Sequence, residues 1–235
     1  MKNLNQLSLN LCLKDAATFS NFFVGTNEQL IKVLNNLVTN PKDKFVYFWG
    51  QPGTGKSHLL NALCQEFSEH NLKTVYLPLE DTKQLDPQIF DDLEQLDLLC
   101  LDDLNLVANN ILWEEKIFHC FNKIIVHGKR IVITAHTAPQ FLPLILPDLK
   151  SRMASGLIFE IQPLTDDEKM AGLKLRAKLR GLELNDPAAQ YLLHHYARDT
   201  KSLFTMLDQL DKAALAAQRK LTVPFIKSVL NGHSL

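Results

Sequence analysis

Eight residues, Gly50-Gln51-Pro52-Gly53-Thr54-Gly55-Lys56-Ser57, read G-x-x-x-x-G-K-[ST] with nothing inserted. These residue types at this spacing bind phosphate. Glycines let backbone N–H groups converge on phosphate oxygens, and the N-terminus of a following helix favours the same anion. In such a loop Lys56 reaches the β- and γ-phosphates, Ser57 coordinates Mg²⁺, and the binding set runs on to His58. The metal-side half of the site is expected at a strand end, and Leu98-Leu99-Cys100-Leu101-Asp102-Asp103 supplies one, 46 residues beyond Lys56. Asp102 is placed to hold Mg²⁺ through water; Asp103 stands where a carboxylate polarises an attacking water. Two adjacent acids after a strand, taken alone, read as a solvated turn; paired with the loop, they read as functional. Asp103 is a methylene shorter than the glutamate many ATPases use there, which predicts a slow hydrolase or a nucleotide-state switch. The strand Ile131-Val132-Ile133-Thr134 offers Thr134 as a side chain to sense the γ-phosphate, with a plain β-branched strand residue as the alternative. His136, two residues on, is the other polar candidate, as a base.

These groups need a sheet to carry them. Phe45–Trp49, Thr74–Leu77, Leu98–Leu101, Ile131–Thr134 and Leu157–Ile161 are short, continuously apolar runs, which suit strands covered on both faces. Helical patterns lie between them at 55–70 and 111–127. Alternating β and α segments predict a doubly wound, parallel α/β sheet domain of the P-loop type. After Ile161 the pattern changes. Thr165-Asp166-Asp167-Glu168 is a capping box that opens a helix running to about Gly181. Asp186-Pro187 opens a second, 201–220 forms a third, and Thr222-Val223-Pro224 begins a fourth. The expected division is therefore a tail at 1–12, an α/β nucleotide-binding domain at 13–162 and a small all-helical lid at 163–235.

Composition narrows the partners. With 46% hydrophobic and 22% charged residues the chain is an ordinary globular protein. A net charge of −1 lacks the cationic excess of a direct DNA binder. Splitting the chain does not uncover one: residues 163–235 carry 11 basic and 8 acidic side chains, a mild bias only. Cys12, Cys64, Cys100 and Cys120 show no metal-ligand spacing and fit a reducing compartment. The N-terminus lacks the apolar core of a signal peptide, and the longest uncharged run, Ile131–Pro147, holds three prolines. The expectation is a soluble, cytoplasmic protein without a membrane partner.

These elements, in this order, resemble the AAA+ division of P-loop ATPases. The resemblance is closer to the ATPase domain of the bacterial replication initiator DnaA and closest to its truncated relatives, the Hda family. It spans Gln6 to Leu230. Its most specific stretches are Gln6–Leu11, Phe19-Ser20-Asn21-Phe22, Leu146–Arg152, Lys178-Leu179-Arg180-Gly181, Leu207–Asp211 and Gln218–Thr222. The resemblance implies that Phe22-Phe23-Val24-Gly25, with Asn27, forms the adenine-side strip. It implies that Arg152 is an arginine finger reaching a neighbour's nucleotide, where a forked, permanent cation stabilises charge on the γ-phosphoryl group. Lys201 falls where the second sensor of the lid is usually arginine, so the bidentate fork is missing there. The N-terminal hexapeptide resembles the motif that docks on the bacterial DNA sliding clamp (the polymerase III β subunit), with Gln6 hydrogen-bonding in one pocket while Leu7, Leu9 and Leu11 plug an apolar groove. An edge strand is the plainer reading of alternating leucines.

The implied function is a regulatory inactivator of DnaA. It binds ADP or ATP with Mg²⁺, assembles as a homo-oligomer (a dimer) and docks on the DNA-loaded clamp. There it promotes hydrolysis of DnaA-bound ATP and so restrains replication initiation. DnaA carries a DNA-reading domain after its lid; this chain stops at Leu235, so it is expected to reach DNA only through the clamp. The alternatives are a helicase-loader or clamp-loader-like AAA+ ATPase, or a self-sufficient slow ATPase. A small-substrate nucleotide kinase is disfavoured, because no second Arg/Lys-rich acceptor site follows the loop.

Overall fold

The computed structural model describes residues 17–40, 42–81, 86–195 and 200–230. Gln6, Leu7, Leu9 and Leu11 lie outside the described residues, as does the side chain of Lys201.

Five strands, β1 (Phe45–Trp49), β2 (Thr74–Pro78), β3 (Leu98–Asp102), β4 (Arg130–Ala135) and β5 (Leu157–Glu160), pair in parallel in the order β2-β3-β4-β1-β5. Successive side chains in a strand point to opposite faces, and the two faces make separate cores. Val46, Phe48, Leu98, Cys100 and Val132 pack against α1 (Glu28–Asn36) and α2 (Lys56–Glu69). Phe45, Tyr47, Leu99, Leu101, Ile131 and Ile133 pack against α3 (Ile111–Val126) and α4 (Pro147–Met153). This is the doubly wound α/β layer that the apolar runs predict. Because β4 lies between β1 and β3, its C-terminal end separates the loop after β1 from the acids after β3. Lys56, Ser57, Asp102, Asp103, Thr134 and His136 therefore gather at the carboxyl ends of the strands, where open α/β sheets bind ligands.

Two helices have no counterpart in the sequence expectation. The first, α1, is nine residues long and has no side-chain N-cap bond. The second, α4, is seven residues long and starts on Pro147. Both are held by burial, through Leu30, Ile31 and Leu34 in one case and Leu149 and Met153 in the other. Short helices gain their stability from packing and not from propensity, so local pattern is a poor guide to them.

Beyond β5 come α5 (Asp166–Leu179), α6 (Asp186–His195), α7 (Thr200–Ala217) and α8 (Val223–Leu230). The capping box forms as expected, with Glu168 N–H donating to Thr165 Oγ1 at 3.3 Å and Thr165 N–H donating to Glu168 Oε2 at 2.8 Å. Gly181, at φ +73°, follows the helix end in the left-handed conformation that terminates helices. Leu173, Ala177, Leu192, Leu203, Leu207 and Ile226 form the core of this helical unit. Asn27 joins the two units. Its Oδ1 accepts from Gln162 N–H at 2.8 Å and its Nδ2 donates to the Gln162 and Val24 carbonyls at 3.2 and 3.1 Å. One buried amide thus fixes the strip at 22–27 to the segment where sheet gives way to lid. Among the described residues no helix is long and apolar enough to cross a membrane.

Candidate nucleotide-binding site

The loop after β1 closes on glycine geometry. Gly53 and Gly55 adopt φ of +83° and +100°, conformations open to residues without a Cβ. A Cβ on Gly50 would sit 2.5 Å from Ile161 Cγ2 and 2.8 Å from the Ile161 carbonyl oxygen, so there is no room for a side chain where the loop passes the residue after β5. Helix α2 begins at Lys56 with no side-chain cap and no acid in its first turn. Its first N–H groups and the positive end of its dipole therefore face the pocket without an internal anion. Lys56 is buried, and its Nζ donates to the Gly50 and Gln51 carbonyls at 3.0 and 3.4 Å. The same Nζ stands 3.6 Å from Asp103 Oδ1.

Period two along β3 decides the metal side. Leu98 and Cys100 face α2, so Asp102 does too, beside Ser57 at the helix start. Thr134 follows Val132 on the same face of β4. Its hydroxyl donates to Asp102 Oδ1 at 2.5 Å and accepts from Asp103 N–H at 2.9 Å. Thr134 is thus fully buried and committed to the two aspartates, outside the pocket wall. Asp102 is 4% exposed, and its other oxygen accepts from the hydroxyl of Tyr76 at 2.7 Å. Among the described residues no cation pairs with it. A buried carboxylate held only by neutral hydroxyls fits a site that takes a divalent cation, through Asp102 and Ser57. Asp103 leaves the strand at φ +58°, with Oδ1 buried, unbonded and 3.3 Å from His136 Nε2. Lys56, Asp103 and His136 therefore form one polar cluster facing the pocket.

The pocket is a cleft of about 500 Å³, within the range of small-molecule sites. The wall is formed by the loop from Pro52 to His58, Phe22 and Phe23 on one side, and Phe204 and Arg176 of the lid on the other. Val24 packs into the core beneath α2 instead, and Gly50 and Gln51 contribute through their carbonyls to Lys56. Arg176 and Tyr76 were not singled out from sequence. Arg176 stacks over the Phe204 ring at 3.9 Å, donates to the Asn21 carbonyl at 3.4 Å and lies 3.4 Å from His58 Nδ1. Only α5 docking on the strip at 19–22 brings it there. Lys201 sits on α7, the helix that also presents Thr200, Phe204, Thr205 and Asp208 to the pocket.

His58 Nε2 lies 3.0 Å from the Thr18 carbonyl oxygen, so the neutral tautomer donates there and turns Nδ1 toward Arg176. Burial, more than the adjacent Arg176, holds its pKa below the ordinary 6.5, against an upward pull from the Thr18 carbonyl. The unfolded chain therefore takes up this proton before the native protein does. The stability His58 contributes is complete above about pH 6.5 and is lost as pH falls toward the lowered native pKa. Melting curves between about pH 7.5 and 5.5 should show a smaller loss for His58→Gln than for the unsubstituted protein. Equal slopes would exclude the effect.

Arg152 lies apart. It is exposed on α4 and contributes nothing to the pocket wall. Its helix is anchored by Glu114, a fully buried carboxylate on α3. Glu114 Oε1 accepts from Asn109 and Ile145 N–H at 2.8 and 3.2 Å, and Oε2 accepts from Leu146 N–H at 2.7 Å, the residue before the first turn of α4.

The family model described as the bacterial DnaA ATPase domain matches residues 13–160, and the one described as the Hda lid domain matches residues 166–230. Domain III of the Thermotoga maritima replication initiation protein DnaA superposes with a TM-score of 0.76 at 20% identity, over 94% of this chain and 98% of that one. AMPPCP-bound DnaA from Aquifex aeolicus gives 0.69 at 25% identity, over 81% of this chain and 63% of that one. A Thermotoga maritima RuvB variant gives 0.63 at 16%, over 87% and 68%, a likeness of fold.

Proposed function

We infer the role from one premise: the chain belongs to the family of the bacterial DnaA ATPase domain, as an Hda-type, DnaA-related AAA+ protein. It binds ADP or ATP in the cleft between loop, strip and lid, where Ser57 and Asp102 would hold Mg²⁺. When bound, the cation neutralises phosphate charge. Lys56 turns from the loop carbonyls to the phosphates, and the first turn of α2 donates N–H groups to them. The Asp103–His136 pair stands on the γ-phosphate side, where intrinsic hydrolysis is slow because the shorter aspartate reaches an attacking water poorly.

The productive hydrolysis belongs to the partner. Docked on the DNA-loaded sliding clamp through Gln6–Leu11, this chain presents Arg152 to ATP held by DnaA, and its own nucleotide sets a homodimeric assembly and the lid. The observation that carries this reading is the placement of Arg152, exposed on α4 and away from this chain's own pocket. A guanidinium so placed cannot serve in cis and is free to enter a neighbour's site. Hydrolysis of DnaA-bound ATP, followed with clamp loaded on DNA, is expected to rise on adding this chain. It should fall to the unstimulated rate when the clamp is omitted or when Gln6 and Leu9 are both alanine. Full stimulation without clamp would overturn the docking step, and no stimulation with it would overturn the function.

A further inference from the structure

Tyr76 belongs to the edge strand β2, yet its hydroxyl sits at the centre of the metal side. The pairing of β2 with β3 aligns Tyr76 with Cys100. Cys100 faces α2, and so does Asp102 two residues later. The phenol spans that step and donates to Asp102 Oδ2 at 2.7 Å. Tyr76, Ser57 and Asp102 line the same cleft, and Asn61 Nδ2 is fixed on the Ser57 carbonyl at 2.8 Å. With Thr134 on Oδ1, each Asp102 oxygen has one hydroxyl donor, which sets the plane of the carboxylate.

We propose that Tyr76 is a positioning residue for Mg²⁺: its hydroxyl fixes Asp102 Oδ2 in the cleft that Ser57 also lines and thereby sets the cation-dependent part of nucleotide affinity. The inference rests on the reading of the cleft as a Mg²⁺–nucleotide site. Groups that orient metal-side ligands typically change metal affinity by about 10–100-fold when removed. Phenylalanine at 76 leaves Gly50–Gly55 and the Lys56 bonds to the Gly50 and Gln51 carbonyls in place, so phosphate binding without a cation should be retained.

The test is calorimetric titration of the purified protein with ATP, in Mg²⁺ and again in excess EDTA, for the unsubstituted chain and Tyr76→Phe. Phenylalanine keeps the ring and removes one oxygen. In EDTA the two proteins should agree within about twofold, whereas the gain in affinity from Mg²⁺ should shrink about tenfold in the variant. Titrating the ATP complexes with Mn²⁺, followed by its electron paramagnetic resonance, should show the same weakening directly. An unchanged Mg²⁺ gain would overturn the role of Tyr76 and leave the nucleotide reading standing. An equal loss in EDTA and in Mg²⁺ would make the phenol a packing residue and also overturn it. Binding of ATP by neither protein would overturn the nucleotide reading and this inference with it.

Discussion

Replacing Arg152 with alanine should return hydrolysis of DnaA-bound ATP to its unstimulated rate, a fall of about 10³-fold where the finger is fully engaged. The same variant should bind ADP and ATP as the unsubstituted chain does. Among the described residues nothing in the fold of α4 uses the guanidinium: the helix is held by Leu149 and Met153 in the core and by Glu114 on the Ile145 and Leu146 amides. Arg152 joins the local structure through its carbonyl, which accepts from Ser155 N–H at 3.0 Å and Ser155 Oγ at 2.7 Å. Loss of activity with intact folding is therefore the signature. Lysine at 152 keeps the charge without the planar fork and should restore only part of the rate. Single-turnover hydrolysis of DnaA-bound ATP measures both, and full stimulation by the alanine variant would remove Arg152 from the mechanism.

The second large effect falls on this chain's own site. Lys56→Ala should weaken ATP and ADP binding by about 10²-fold or more, as expected for losing charge-assisted bonds to phosphate. Lys56 is 5% exposed and its ammonium is the pocket's buried counter-charge, shared between two loop carbonyls and Asp103. Without it Asp103 keeps only His136 at ion-pair distance and faces incoming phosphate as an uncompensated anion. Equilibrium titration with a fluorescent ATP analogue would measure the loss, and an affinity within about twofold of the unsubstituted protein would exclude phosphate binding at this loop.

Much of this was legible from one dimension, for a local reason. A phosphate-binding loop works through contiguous backbone, so its chemistry is written in eight consecutive residues, Gly50 to Ser57. Buried parallel strands are continuous apolar runs, so all five strands coincide with the expectation to within a residue at each end. The capping box at Thr165 and the turn at Gly181 fix the first lid helix by contacts three or four residues apart.

What the chain alone left undecided depends on residues far apart in sequence. Thr134 reads in sequence either as a γ-phosphate sensor or as a plain β-branched strand residue. Its hydroxyl is engaged by Asp102 and Asp103, because the β3–β4 register sets it beside them. Tyr76 reads as one more strand residue until β2 pairs with β3, and Arg176 as one more helix cation until α5 lies on Asn21 and His58. Glu114 gives no sign in sequence that it is a fully buried carboxylate anchoring the start of α4. By itself the sequence determined the fold class, the phosphate loop and its two acids, because contiguous spacing encodes backbone geometry. Tertiary structure decided which hydroxyl holds Asp102, which lid cation enters the cleft and that Arg152 faces outward, because those follow from strand order and helix docking.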